Sequence, residues 1–88
     1  MEIKTVNRTI RPATHKSENS YRVKIGKRNF YDKLIVNINH ESLGAVGIFE
    51  IEGKAIAPYE SIHFKANEKS GRVEITWVQI IPVKKVIL

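Results

Sequence analysis

Apolar and polar residues alternate one for one in five separate stretches of this chain, and that pattern decides most of what it can become. Tyr21, Val23 and Ile25 alternate with Arg22 and Lys24; Phe49 and Ile51 alternate with Glu50 and Glu52. Ile62, Phe64 and Ala66 alternate with Ser61, His63 and Lys65, and Val73, Ile75 and Trp77 with Arg72, Glu74 and Thr76. Leu34, Val36 and Ile38 alternate with Lys33, Asn37 and Asn39, broken only by Ile35. A period of two belongs to a strand with one face buried and one face wet. The residues are largely β-branched or aromatic, as pleated surfaces prefer. Val23, Ile25, Leu34, Val36, Ile38, Phe49, Ile51, Ile62, Phe64, Val73, Ile75 and Trp77 are therefore expected to face one common interior.

The punctuation agrees with this reading. Gly26-Lys27-Arg28-Asn29 reads as a hairpin turn, Asn39 to Gly44 as a loop, and Gly53-Lys54 and Pro58-Tyr59 as breaks. Asn67 to Gly71 reads as a polar hairpin loop closed by glycine. Short strands with frequent turns predict an all-β fold: a small antiparallel β-sandwich or partly open barrel of roughly six to eight strands, with an extended N-terminal arm. No window of helical length has a 3.6-residue period, and the one helical turn expected falls in the 39–45 loop.

At 88 residues the chain is a single domain over 1–88, with 42% hydrophobic and 27% charged residues, the balance of a folded protein. It has no cysteine, so disulfides, thiolate metal sites and cysteine nucleophiles are excluded. No apolar run approaches the ~20 residues of a membrane helix. The polar start Met1-Glu2-Ile3-Lys4-Thr5 predicts no secretion signal. The expected origin is cytoplasmic synthesis, which includes proteins assembled into virions inside a host cell, and no membrane partner is expected.

Charge is unevenly spread. The net +6 sits in residues 1–33, where nine lysines and arginines face Glu2, Glu18 and Asp32; the remainder balances six against six. Such a patch predicts an acidic partner, nucleic acid or protein, although net charge also serves solubility. In the segment 21–33, Arg22 and Lys24 share the outer face of a strand, Lys27 and Arg28 occupy the turn, and Lys33 opens the returning strand. A hairpin there would gather five cations with Phe30 or Tyr31 beside them, the combination used by sheets that bind nucleic acid. A solvated β-ribbon has the same sequence.

The two ends fit a closed domain poorly. Residues 7–20 are polar and basic, with Arg8, Arg11 and Lys16 and one large apolar side chain, Ile10. They read as a long loop or an arm that orders on a partner. Residues 83–88 end in Val86, Ile87 and Leu88. They read as the last strand of the domain's own sheet, or as a strand donated to a neighbouring subunit.

Catalytic chemistry finds no support. His15, His40 and His63 lack the spacing of paired metal ligands, and no metal or cofactor is expected. Glu50 and Glu52 have the separation of a carboxylate pair, but a charged solvated strand face accounts for them. The serines lie in no nucleophile context and there is no glycine-rich phosphate loop. Trp77, mid-strand, reads as a core anchor.

The run Ile56-Ala57-Pro58-Tyr59-Glu60-Ser61-Ile62-His63-Phe64 resembles a strand-entry segment, apolar-x-Pro-Gly-Glu-Ser-apolar-x-apolar, of small β-sandwich modules in phage virions. Tyr59 stands where those modules have glycine. The polar hairpin and strand that follow, to Val78, keep their order, so the resemblance spans about residues 46–81. It implies a sandwich that docks on an assembly, such as a capsid-decoration or a neck or tail accessory protein, and it carries over no catalytic residue. The leading expectation is thus a non-catalytic structural module that meets a protein partner, either copies of itself in a homo-oligomer or capsid or tail subunits. The alternatives are a nucleic-acid-binding β domain and a small inhibitor of a host enzyme.

Overall fold

A computed structural model describes residues 2–12, 18–25 and 31–87. The strands are β1 (Ile3–Ile10), β2 (Glu18–Lys24), β3 (Lys33–His40), β4 (Gly44–Glu52), β5 (Ser61–Lys69), β6 (Arg72–Trp77) and β7 (Lys84–Ile87), with a four-residue helix α1 (Gly53–Ile56). They form two sheets, β1-β3-β4-β7 and β2-β5-β6, and no closed barrel. No helix among the described residues is long and apolar enough to cross a membrane.

The layers follow from the alternation. Leu34, Val36 and Ile38 on β3 and Ile51 on β4 turn inward from the first sheet; Val23, Ile62 and Phe64 turn inward from the second, and all seven are fully buried. Contacts between the layers match the strands up. β1 faces β2, since Arg8 Nε donates to the Arg22 carbonyl (3.3 Å) and the Arg11 amide to Tyr21 Oη (3.0 Å). His40 on β3 meets Glu68 on β5, and Phe49 on β4 meets Trp77 on β6 edge-on at 5.5 Å. Among the described residues the first sheet therefore runs one strand further, and β7 has no strand opposite it.

Nine of the twelve expected core residues are buried; Val73, Ile75 and Trp77 on β6 pack against the core and are partly buried. Ile10, Ile56 and Ala66 complete the buried set.

Several expectations are corrected. Residues 7–10 of the expected arm or loop lie in β1, which pairs with β3 in parallel, and residues 18–20 lie in β2. The alternation of β1 is hidden because its inward positions, Lys4, Val6, Arg8 and Ile10, are apolar only at every second one. Lys16 lies outside the described residues. β2 and β3 are not a hairpin: β2 pairs with β5 and β3 with β1 and β4, so the 25–33 segment crosses between sheets. Its turn, with Lys27, Arg28 and Phe30, is outside the described residues. The 39–45 loop is a tight turn over 41–43, and the helix forms at Gly53 instead. A Cβ at Gly53 would sit 2.1 Å from the Tyr31 carbonyl oxygen, and the Gly53 amide donates to the Asp32 carbonyl (2.8 Å), so only glycine lets that strand crossing pass. Of the two readings of the terminal strand the structure shows the first: it pairs with β4 within its own sheet, Glu50 opposite Lys84 and Phe49 opposite Lys85. Leu88 is outside the described residues. The 67–71 loop is reduced to Ser70 and Gly71, both with positive φ (50° and 76°), the two-residue turn that fits strand twist.

Candidate docking face

The outer face of β2-β5-β6 is built by strand parity alone. Once Val23, Ile62 and Phe64 turn inward, Arg22 and Lys24 on β2 must turn outward. So must His63, Lys65 and Lys69 on β5, and Arg72 and Glu74 on β6. Register places Arg22 opposite His63, Lys24 opposite Ser61, and Lys69 opposite Arg72. Arg22, Lys24, Lys65, Lys69 and Arg72 are all exposed, and His63 is half-buried. Lys69 and Glu74 approach at 3.9 Å with both side chains more than half exposed, an ion pair worth little in water.

Beyond Trp77 the sheet is extended by side chain. The Val78 amide donates to the His63 carbonyl, Gln79 Oε1 accepts from the His63 amide (2.9 Å), and Gln79 Nε2 donates to the Ser61 carbonyl. That places Val78 beside His63 on the outer face, 51% exposed, with Ile80 fully exposed two residues on. Apolar side chains held in water beside cations are the composition of a binding surface more than of a solvated face.

Of the expected site residues, Arg22 and Lys24 belong to this face. Lys33 does not: it lies on the outer face of the other sheet, where its Nζ contacts Glu50 Oε1. That contact holds the Glu50 carboxyl below, and the Lys33 ammonium above, their ordinary ranges, in both cases chiefly through the hydrogen bond between them. Arg8 turns toward β2, Arg11 is exposed beyond the end of β1, and Val86 is exposed on β7. Lys65, Lys69, Arg72, Val78 and Ile80 escape a reading that follows charge along the chain. The signal for them is the outward parity of β5 and β6, which aligns with β2 only once the register is known.

One buried polar cluster lies apart. His40, 4% exposed, accepts at Nδ1 from the amides of Ser42 and Leu43, each at 3.0 Å, and its Nε2 meets Glu68 Oε1 at 2.5 Å. Two amide donors at Nδ1 fix the proton on Nε2, which donates to Glu68. Both ring nitrogens are thus occupied by the protein itself. The cluster lines an open cavity of about 400 Å³ with Pro12, Leu43, Ser70 and Gly71. Its geometry locks the β3–β4 turn to β5 and leaves no free imidazole nitrogen as a base.

The chain matches no protein-family model, no curated protein and no solved structure.

Proposed function

We propose that this protein is a non-catalytic module that docks on an acidic protein surface within a larger assembly, through the outer face of β2-β5-β6. The observation that carries the reading is the sharing of that face by five exposed cations, His63 and the exposed Val78, with the fully exposed Ile80 two residues further along the chain. Cations at a rim steer association and set its salt dependence, while apolar side chains that become buried supply affinity. The resemblance of residues 46–81 to phage virion modules supports a capsid, neck or tail complex as the class of assembly.

A second reading, binding to nucleic acid, is favoured by the spread of the cations over three adjacent strands, which suits a phosphate backbone. Against it, the aromatic side chains with a described direction, Tyr21, Phe64 and Trp77, turn inward, so the face offers no stacking platform among them.

The test is co-sedimentation of the tagged full chain with large particles from its native source, before and after nuclease treatment. Arg22→Glu/Lys24→Glu should release the protein from the particles, as should Val78→Ser/Ile80→Ser, while nuclease leaves it bound. Release by nuclease selects nucleic acid. Retention of both variants removes this face from the function.

A further inference from the structure

The strand count leaves a gap. β1 lies over β2, β3 over β5 and β4 over β6, so the second sheet lacks the strand that would lie under β7. Among the described residues β6 is hydrogen-bonded along one edge only, to β5, and its other edge borders this gap. The inward residues of β6 record it: Val73, Ile75 and Trp77 are only partly buried, whereas Ile62 and Phe64 on β5 are fully buried. A cavity of about 480 Å³ occupies the position, lined by Val46, Phe49, Val73 and Ile75 with Arg72, Glu74 and Lys85. It shares Val46, Arg72 and Val73 with a neighbouring cavity of about 230 Å³, so the two form one groove along β6.

The roof is shaped for it. Lys85 leans from β7 across Gly47, where an added Cβ would lie 3.1 Å from the Lys85 Cε and 3.1 Å from the Phe49 ring. Glycine at 47 therefore leaves room for the lysine stem, whose ammonium reaches the groove that Phe49 floors. Arg72 stands on the opposite wall. Two cations face the single carboxylate of Glu74.

We infer that this vacant strand position accepts an extended peptide segment of a partner protein, alternating apolar with acidic residues, which pairs with β6 and completes the second sheet. Main-chain hydrogen bonds to the open edge would supply part of the affinity. Apolar side chains on alternate residues would fill the groove over Phe49 and Ile75 against the Lys85 stem, and the carboxylates between them, turned outward, would meet Arg72. A second copy of the chain fits poorly: its own β6 arrives with β4 stacked on it, where β7 of the first copy already lies. A lone extended segment brings no second layer. This site shares Arg72 with the outer face of β2-β5-β6 but takes in none of Arg22, Lys24 and Val78.

The test is an NMR titration of the full chain with seven-residue synthetic peptides: one alternating valine with glutamate, one alternating valine with lysine, and the glutamate peptide N-methylated at alternate amides. The glutamate peptide should give saturable shifts over residues 72–77 and at Lys85, and should slow amide exchange along β6. The lysine peptide should bind about tenfold more weakly, and the N-methylated one not at all. Arg72→Glu/Lys85→Glu should reverse the order of the two charged peptides, whereas Arg22→Glu/Lys24→Glu should leave it unchanged. Equal binding of the N-methylated peptide, shifts confined to the Arg22 and Lys24 face, or no saturable shift would each overturn the inference. The same β6 shifts on concentration of the protein alone would overturn it in favour of a second copy.

Discussion

The two flanks of the sandwich are made of similar residues and end in opposite conditions. On the β1/β2 flank, strand lies over strand: Ile10 and Val23 are buried, Tyr21 stacks on Phe64 with centroids 5.3 Å apart, and Arg8 and Arg11 tie the layers together. On the β6/β7 flank four strands meet three, and Val73 and Ile75, no less apolar, remain only partly buried. Alternation places a side chain on the inner face of its own sheet; the opposing sheet decides whether it is buried. A closed flank and an open one divide stability from availability within one small core.

The largest expected effect tests that division. Phe64, fully buried between Tyr21 and Trp77, should cost about 3–5 kcal/mol when replaced by alanine. That is a large share of what a domain of this size holds. Ile75→Ala on the open flank should cost only about 1–2 kcal/mol, because part of the side chain already meets water. Urea unfolding of both variants gives the comparison directly; equal losses would mean that the two flanks are equally closed.

The tie between the middle strands comes next. His40→Ala removes the acceptor for two amides and the partner of Glu68, and should cost about 1–3 kcal/mol. His40→Gln, able to accept from one amide, should recover part of it. Amide exchange at Ser42 and Leu43 should quicken in both variants while the amides of β6 are unmoved, since the loss lies at the β3–β4 turn.

How much of this was legible in the sequence divides along the same line. The five alternating stretches locate β2 to β6 and nine buried core residues, because their inward positions are apolar almost without interruption. β1 is invisible because it spends inward positions on Lys4 and Arg8. The expected hairpin of residues 21–33 fails because a turn signal between two strands says that the chain reverses, not that the strands pair. The docking face was half legible for the same reason. Arg22 and Lys24 announce an outward basic strand, but their companions Lys65, Lys69 and Arg72 are more than 40 positions away in the chain, and only register brings them together. The groove had no sequence signal, since a missing strand leaves no residue to read.

The smallest expected effect is a control that should move neither flank. Lys33 and Glu50 meet on the outer face of the first sheet, on β3 and β4, with both side chains still touching water. Glu50 is held below its ordinary carboxylate range, so its contribution is complete above that range and is lost as pH falls through the lowered folded value. Lys33 is held above its ordinary range, so its contribution is complete below that range and is lost as pH rises through the raised folded value. Between those limits, neutral pH included, the pair contributes a constant amount. Lys33→Met should therefore lower the melting temperature slightly at pH 7, and the deficit should shrink in acid as Glu50 takes up its proton. It should also shrink in high salt, which screens the exposed pair. Amide exchange along β2 and β6 should match the wild type at every pH where the protein is folded. A change at β6 alone would show that charge on the outer face of the first sheet helps to set the width of the open flank.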